Sequence, residues 1–340
     1  MKTLLVTLEY PPDQGGIATY LFSLHKNNRD VKVYVPGIDW KFWPKWLPLI
    51  KKVWQELKNS GSEQISLSHV LPIGYIALVL KIWKNIPYII FVHGLDVLRG
   101  AKHPWKRFWL KIILRNAKQV VANSEFTRKL AIRYGARENC RVILPCVFSL
   151  SNERNNFSES NIILSVGRLV RRKNHKLVLE ALSKIKNDFS NLRYVIIGNG
   201  PMKDELIDYA EKLGISRMVD FVGKVSDKER ENYYKKTGVF VLPVYSEGDD
   251  VEGLGIVFLE AAAYGLPVIA GRGGGVEEAV LDGATGYMID PKNKNELKEK
   301  LKIILQDKDL AKQMGQAGQL RIQKEFLCEL REEEIEKLYR

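Results

Sequence analysis

Residues 162–197 read IILSVGRLVRRKNHKLVLEALSKIKNDFSNLRYVII. An apolar run at 162–166 is followed by a basic loop, a helical pattern at 176–186 and a second apolar run at 194–197. Short β-branched runs are typical of strands buried in a parallel sheet, and a helix between two of them completes a β-α-β unit. This stretch therefore indicates an α/β fold.

The same alternation runs through the whole chain. Further strand candidates lie at 4–8, 31–35, 88–92, 119–122 and 142–144, and again at 220–222, 239–242 and 268–270. Helical patterns such as 202–213 lie between them. Strands that alternate with helices are typical of doubly wound parallel sheets, which bind ligands at the carboxyl ends of their strands.

A polar segment rich in Ser and Asn interrupts this series of strands and helices. We predict two doubly wound, Rossmann-like domains, 1–148 and 161–322, joined by a linker at 149–160. A helix at 323–340 follows, for which a return to the first domain is left open.

The net charge of +13 is concentrated in the first half of the chain. Residues 1–150 contain 23 Lys and Arg against 9 Asp and Glu. Such an excess indicates a nucleic acid, an anionic membrane or an acidic small ligand as partner, or only a solvated surface that aids solubility. Composition alone does not choose among these.

The cysteines and the apolar segments bear on the compartment. Cys140, Cys146 and Cys328 are odd in number and lack metal-ligand spacing, and the apolar run at 3–8 is too short for a secretory signal. A reducing cytoplasm fits this pattern best. The apolar stretch at 70–83 is broken by polar and helix-breaking residues and is shorter than the roughly 20 residues of a spanning helix, so we predict none.

Two loops have the composition of phosphate-binding loops. Gly15 and Gly16 precede a helical pattern, where backbone N–H groups could face an anion, although a simple glycine turn is equally consistent. In the loop that follows strand 162–166, Arg168 and Lys173 could clamp a diphosphate. We expect Arg171 and Arg172 to be solvated.

The segment 252–270 reads EGLGIVFLEAAAYGLPVIA and contains two acids eight residues apart. A helix that starts near Gly255 would direct free N–H groups at a phosphate. Glu252 and Glu260 would then lie up to about 12 Å apart, similar to the distance from the sugar of a nucleotide sugar to its ribose. The alternative is that Glu252 caps the helix start and Glu260 lies on a solvated face.

These features together resemble the retaining glycosyltransferases of family 4, which have the GT-B fold. The paired acids Glu252 and Glu260 carry the resemblance, and residues 250–257 are most similar to the phosphatidylinositol mannosyltransferases of that family. Other matching segments occur in the family's order: Gly15-Gly16, 92–96, 122–124, 166–168 with Lys173, 197–201 and 273–278. The similarity covers nearly the whole chain.

The resemblance implies a site made largely by the second domain. Arg168 and Lys173 would bind the diphosphate, Glu260 the ribose and Glu252 the transferred sugar, with the base near Gly223. His93 would position the sugar, and Gly16, after Gly15, would contact the phosphate. The residues expected at the start of the phosphate-binding helix are Leu254, Gly255, Ile256 and Val257. No Asp-x-Asp motif occurs at the matching position, so we predict a reaction without metal or other cofactor.

Two clusters of tryptophan and lysine in the first half indicate contact with a membrane. One spans 40–54 and the other 102–111. Aromatic and basic side chains suit the boundary between water and anionic lipid, although a helix with a packed aromatic face would have the same composition. We expect a peripheral protein on the inner face of the plasma membrane.

The sequence thus predicts a hexosyltransferase that moves mannose from GDP-mannose to a lipid-linked or surface-polysaccharide acceptor. A UDP-sugar donor is the alternative within this class. A nucleic-acid-binding protein or a non-catalytic scaffold are the alternatives outside it. We expect no nucleic-acid partner because no recognisable nucleic-acid motif is present.

Overall fold

The computed structural model describes residues 1–12, 15–37, 44, 46–151, 160–189, 191–246, 248 and 250–340. The chain divides into two units, one formed by Met1–Phe148 with Cys328–Arg340 and the other by Ser149–Leu327. Each unit contains a six-stranded sheet whose strands pair in parallel. The predicted α/β class with two doubly wound domains is confirmed.

The sheet of unit 1 has the strand order β2-β1-β3-β4-β5-β6. Strands β1, β3 and β4 are buried along their whole length, and β1 and β4 are correspondingly rich in apolar residues. The elements, in chain order, are β1 Thr3–Val6, α1 Gly16–His25, β2 Val31–Tyr34, α2 Leu47–Ser60, β3 Gln64–Leu67, α3 Ile73–Lys84, β4 Tyr88–Val92, α4 Leu95–Ala101, α5 Pro104–Asn116, β5 Gln119–Ala122, α6 Glu125–Arg133 and β6 Arg141–Val142.

Unit 2 has the strand order β12-β11-β10-β7-β8-β9 and begins with the β-α-β stretch quoted above. Its elements are β7 Ile162–Val166, α7 His175–Ile185, β8 Arg193–Ile197, α8 Lys203–Lys212, β9 Val219–Gly223, α9 Asp227–Lys236, β10 Val239–Leu242, α10 Ile256–Ala263, β11 Val268–Gly271, α11 Val276–Ala279, β12 Gly286–Ile289, α12 Lys294–Gln306 and α13 Lys308–Glu325. A short 3-10 turn, Arg171–Lys173, lies between β7 and α7.

A final helix, α14 Glu329–Tyr339, belongs to unit 1. It packs against α1 and buries Ile335, Leu338 and Tyr339. The Tyr339 hydroxyl lies 2.6 Å from His25 Nε2 and accepts a hydrogen bond from Ser66 Oγ at 3.2 Å. Helix α14 therefore completes a buried polar network that starts on α1 and β3.

The structure differs from the sequence-based expectation in three respects. Strands β3 and β12 were not predicted. The helix predicted at 323–340 is interrupted, since α13 ends at Glu325 and α14 starts at Glu329. Most of the predicted linker, 152–159, lies outside the described residues. None of the described helices is both long and apolar enough to cross a membrane.

The third difference concerns the cysteines. The sequence indicated reduced thiols, whereas the structure joins Cys146 and Cys328 in a disulfide within unit 1 and leaves Cys140 free and buried. The two cysteines are 182 residues apart in sequence. They meet because the chain returns to unit 1 at Cys328, whose N–H donates to the Val147 carbonyl at 3.1 Å. Spacing along the chain could not have shown this proximity.

Replacing both cysteines by serine, Cys146→Ser with Cys328→Ser, is expected to lower the free energy of unfolding of unit 1 by about 2–4 kcal/mol, because the unfolded chain loses a long covalent loop. Urea unfolding followed by tryptophan fluorescence measures unit 1 selectively, since all seven tryptophans lie within residues 40–109. Wild-type protein with a thiol reductant should match the double variant. An unfolding midpoint that does not respond to reductant would show that the two thiols are not joined in solution.

Candidate active site

The loop after β7 lies at the carboxyl edge of the unit 2 sheet. Backbone hydrogen bonds attach it to the neighbouring loop after β8, from Gly167 N to Ile197 O at 2.9 Å and from Leu169 N to Asn199 O at 3.1 Å. Arg168 projects exposed from this loop, whereas Lys173 is buried. The two cations that were predicted to clamp a diphosphate therefore share one anchored loop but differ in exposure.

Glu252 is the centre of an ion cluster. Its Oε2 atom accepts a hydrogen bond from Lys173 Nζ at 2.6 Å and also contacts Arg172 Nη1. Arg172 Nε reaches Asp250 Oδ1 at 2.9 Å. The structure thus brings Lys173 and Glu252 together, as expected for residues of one site. The expectation that Arg172 is solvated is wrong, because two carboxylates bind it.

The charges in this cluster shift each other's pKa. Burial opposes ionisation of Glu252, but Lys173 and Arg172 outweigh it and hold the pKa of this carboxyl below its usual value. Burial lowers the pKa of the Lys173 ammonium, and the charge of Glu252 opposes that effect. Glu252 is therefore an ionised carboxylate at neutral pH, suited to accept hydrogen bonds from hydroxyl groups.

Two glycines fix the backbone around Glu252. A Cβ atom on Gly274 would lie 2.1 Å from the Glu252 carbonyl oxygen, so only glycine allows this approach. Gly255 has φ of +88° and directly precedes α10, with no side chain capping the helix. Helix α10 therefore begins at Ile256, four residues after Glu252, and Glu252 does not cap it. The first-turn residues Ile256 and Val257 are half-buried, and Leu254 is buried.

Glu260 lies on α10 and is held by two residues of α9. The Tyr234 hydroxyl donates to Glu260 Oε2 at 2.9 Å, and Arg230 Nε lies 3.5 Å from the same oxygen. The side chain of Glu260 is 17% exposed, so it does not lie on a solvated face. Tyr234 stacks on Tyr264 at a centroid distance of 5.1 Å, which fixes its hydroxyl. Sequence reasoning missed Arg230 and Tyr234.

Gly223 ends β9 beside the loop after β8. Its φ is +81°, and its carbonyl accepts a hydrogen bond from Gly198 N at 2.8 Å. The Asn199 amide lies 3.6 Å from the position of a Cβ atom on Gly223. Gly223 therefore adjoins the loop that anchors Arg168 and Lys173, and a flat ring could approach its backbone without a side chain in the way.

In unit 1, His93 follows β4 and is buried. Its Nε2 atom lies 2.9 Å from the Ser68 carbonyl oxygen, so Nε2 carries the proton and Nδ1 is left as an acceptor. Burial lowers the pKa of His93 to about 4. A neutral imidazole with an acceptor nitrogen can position a hydroxyl group.

Two buried oxygens near His93, Asp96 Oδ2 and Asn123 Oδ1, have no hydrogen-bond partner among the residues that the structure describes. The other Asp96 oxygen accepts from the His93 N–H at 2.9 Å. His69 lies beside this group, with its ring centroid 5.8 Å from that of His93. The sequence analysis did not assign a role to Asp96, Asn123 or His69. Asp96 could have been recognised, because a side chain three positions after His93 is well placed to bind the backbone N–H of His93.

Gly15 and Gly16 mark the start of α1, as expected. A Cβ atom on Gly15 would lie only 2.7 Å from Glu9 Oε2, so an acidic side chain approaches the backbone where an anion was predicted. Gly16 has open space around it. Of this pair, Gly16 is thus the more accessible to a ligand.

Within the described part of the chain, no group of three or more His, Cys, Asp or Glu side chains is arranged to hold a metal ion. The cations described in the unit 2 site are Arg168, Arg172, Lys173 and Arg230. Reaction without a metal stays a prediction.

Both halves of the chain match family models. Residues 4–147 match Glycosyltransferase Family 4, and residues 148–321 match Glycosyl transferases group 1. A GDP-mannose-dependent alpha-(1-6)-phosphatidylinositol monomannoside mannosyltransferase of Mycolicibacterium smegmatis is 27% identical, with 93% of this chain and 92% of that protein covered. A GDP-mannose-dependent monoacylated alpha-(1-6)-phosphatidylinositol monomannoside mannosyltransferase of Corynebacterium glutamicum is 25% identical, with 98% and 96% covered.

Solved structures with the same fold cover the whole length. HepE of Anabaena, in complex with UDP, superposes with a TM-score of 0.81 at 19% identity, and 99% of each chain is covered. A sucrose-phosphate synthase of Thermosynechococcus elongatus gives the same TM-score and identity, with 100% of this chain and 98% of that one covered. At this level of identity the similarity shows the fold.

Proposed function

The chain belongs to the retaining glycosyltransferases of family 4, and on that premise we propose that it transfers mannose from GDP-mannose to a lipid-linked or surface-polysaccharide acceptor. The hexosyltransferase class follows from the family, and the donor and acceptor are the proposal. The names of the mycobacterial and corynebacterial relatives support GDP-mannose and a lipid acceptor.

The ion cluster around Glu252 is the observation that carries the proposal. An ionised carboxylate held in place by Lys173 and Arg172, next to the glycine-led start of α10, combines a hydroxyl-binding group with phosphate-binding groups. Glu252 would accept hydrogen bonds from the sugar. Arg168 and Lys173 would bind the diphosphate a few ångströms away.

The reaction proceeds on one face of the sugar. The bond between the anomeric carbon and the diphosphate oxygen breaks, and the acceptor oxygen bonds to the same face, so configuration is retained. The proton of the acceptor hydroxyl passes to the leaving diphosphate. Arg168 and Lys173 stabilise the charge that develops on this diphosphate, and no metal or other cofactor is needed.

The remaining site residues bind and orient. Glu260, positioned by Tyr234 and Arg230, would bind the ribose hydroxyls, and the backbone at Gly223 would contact the base. His93 Nδ1 would accept a hydrogen bond from a hydroxyl group of the sugar, and the Gly16 N–H would donate a hydrogen bond to a phosphate. Residues Leu254 to Val257 would form the start of α10, whose backbone N–H groups would face a phosphate.

A UDP-sugar is the second candidate donor. The Anabaena protein of the same fold has been solved with UDP-glucose. A backbone-lined base site of the kind seen at Gly223 offers few side chains to distinguish guanine from uracil. The enzyme would meet its acceptor at the inner face of the plasma membrane. The names of the two relatives specify a phosphatidylinositol monomannoside, which supports a membrane lipid as acceptor.

A thermal-shift panel with GDP, UDP, ADP and their sugars, in the presence of a chelator, tests the donor. We expect GDP and GDP-mannose to raise the melting temperature most, because a ligand that binds only the folded state stabilises it. Glu260→Ala should abolish the shift. Glu205→Ala, which removes an exposed acid of α8, is the control and should keep it.

The outcomes separate the candidates. A larger shift with UDP or UDP-glucose would favour the second donor. If no nucleotide gave a shift in the wild type, both donor assignments would be wrong. A shift that appears only when the chelator is replaced by Mg²⁺ would contradict a metal-independent reaction.

A further inference from the structure

The first turns of α5 are largely exposed. Residues 102–108 are all exposed, although the helix begins at Pro104. A helix that packs on a sheet normally buries one face, so consecutive exposed positions mean that no face of this segment is fully covered. Trp105 is 69% exposed and Phe108 is 56% exposed.

These exposed rings rest on an aromatic column. Trp105 and Phe108 both contact Trp109, at centroid distances of 5.8 and 5.6 Å. Trp109 contacts Tyr75 at 5.9 Å, and Tyr75 stacks on Trp46 at 5.0 Å. Trp46 at the start of α2, Tyr75 on α3 and Trp109 on α5 thus form the column. The two exposed rings pack against its Trp109 end.

Basic side chains surround the exposed rings. A cleft of about 340 Å³ is lined by Lys102, Arg107 and Lys111 together with Ala101, Pro104 and Phe108. Residues 95–116, which contain α4 and α5, include six Lys and Arg and one acid, Asp96. Arg107 lies over the ring of Tyr134 at 5.4 Å, which fixes one wall of the cleft.

Three cations of this segment have no acidic partner among the described residues. In the described chain, Lys106, Arg107 and Lys111 form no ion pair. Cations around a cleft with an apolar wall fit an anionic group attached to an apolar body. A phospholipid headgroup at the surface of a bilayer has this chemistry, since its phosphodiester lies beside the acyl region.

We propose that the α5 face, formed by Lys102, Trp105, Lys106, Arg107, Phe108 and Lys111, docks on a bilayer that contains anionic phospholipid. The cleft takes the headgroup phosphate, and Trp105 and Phe108 enter the boundary between headgroups and acyl chains. This inference rests on the proposed function and deepens it, because it names the surface that would hold the enzyme at a lipid acceptor. Only the seven residues of α4, a rise of about 10 Å, separate His93-Gly94 from this face.

The tryptophan cluster at 40–54 is a weaker candidate for this contact. Trp40 and Trp43 lie outside the described residues. Trp46 belongs to the column, and α2 buries Leu49, Val53 and Leu57 against the unit. These contacts favour the packed aromatic face that was considered as the alternative, and contact of this cluster with a membrane stays a prediction.

Trp83 provides a matched control. It is 59% exposed at the end of α3, and Lys84 Nζ lies 4.0 Å from its ring centroid, so it is another exposed tryptophan beside a lysine. It adjoins Trp54 instead of the cationic cleft. If an exposed tryptophan only adheres nonspecifically to lipid, replacing Trp83 or Trp105 should reduce vesicle binding equally. If the α5 face is a docking site, replacing Trp105 should reduce vesicle binding more.

Flotation with phosphatidylcholine vesicles, alone or mixed with phosphatidylglycerol, tests the proposal on the full chain. The wild type should bind the mixed vesicles preferentially, and brominated lipid should quench its fluorescence. Trp105→Ala with Phe108→Ala should lower the partition coefficient about tenfold. Lys106→Ala with Arg107→Ala and Lys111→Ala should lower it about a hundredfold on the anionic vesicles. Trp83→Ala should stay within about twofold of the wild type.

Other results would overturn the docking proposal. These are equal loss in Trp83→Ala, vesicle binding unaffected by the α5 variants, competition by free glycerol 3-phosphate, or salt-dependent binding of an oligonucleotide in place of vesicles. Nucleotide thermal shifts without vesicles measure the donor site separately. Variants that keep the shift but lose vesicle binding support the docking face, and loss of the shift in the wild type would instead remove the proposed donor.

Discussion

Glu252→Gln is expected to lower kcat about 100- to 1000-fold, the scale on which removal of one preorganised polar group from a reacting centre usually acts. Glutamine keeps the size of the side chain but cannot remain ionised between Lys173 and Arg172. It would accept the hydroxyl hydrogen bonds of the sugar weakly, leave Lys173 without its carboxylate and leave Arg172 with Asp250 alone. The rate of sugar transfer at saturating donor measures the effect.

Asp250→Asn is the matched control for Glu252→Gln. Asp250 also pairs with Arg172, but its side chain is 40% exposed against 15% for Glu252. Loss of a pair this exposed should change kcat by no more than about threefold. The nucleotide thermal shift should persist in both variants. Equal loss of kcat in the two variants would mean that the cluster holds Arg172 in place and that Glu252 has no contact with the sugar.

The free energy of unfolding of unit 1 is expected to fall by about 5 kcal/mol between pH 6.5 and pH 5. Burial lowers the pKa of His25, His69 and His93 to about 4 in the folded chain, whereas an unfolded histidine titrates near 6.5. Below pH 6.5 the unfolded chain therefore binds three protons that the folded unit excludes. Stability is fully present above pH 6.5 and is lost as the pH falls toward 4.

Urea unfolding at several pH values, followed by tryptophan fluorescence, measures this dependence in unit 1. His25→Gln should remove about a third of the pH slope, because one of the three excluded protons is gone. His103→Gln, at an exposed position before α5, is the control and should leave the slope unchanged. A slope that is undiminished in His25→Gln would assign the acid sensitivity to carboxyl groups instead.

The fold class could be predicted because most strands are apolar throughout. Strand β3 is the instructive exception. Two of its four residues, Gln64 and Ser66, are polar yet fully buried, since Gln64 donates to Thr3 Oγ1 at 2.9 Å and Ser66 donates to Tyr339. A strand whose polar residues are satisfied by remote partners has no apolar run to recognise. The polar composition of β3 is explained by its contacts with Thr3 and with Tyr339, which the return of α14 to unit 1 supplies.

The candidate site could be predicted in part for a related reason. Glu252, Glu260 and Lys173 stand in short patterns that a single segment reveals. Arg172 stands in an equally basic run and was expected to be solvated, because its partners Asp250 and Glu252 lie about eighty residues further along the chain. Likewise, α9 is a polar helix, and nothing in its own sequence indicates that Arg230 and Tyr234 bind Glu260. Long-range pairs of this kind require the fold.

Helix α14 also determines the order in which the units can be completed during synthesis. Residues 328–340 leave the ribosome after the whole of unit 2, which spans Ser149–Leu327. At about 5–20 residues per second, unit 1 waits about ten to forty seconds with His25 and Ser66 lacking the hydroxyl of Tyr339. Unit 2 is contiguous in sequence and needs no later segment. The half of the protein that is translated first is therefore the half that finishes folding last.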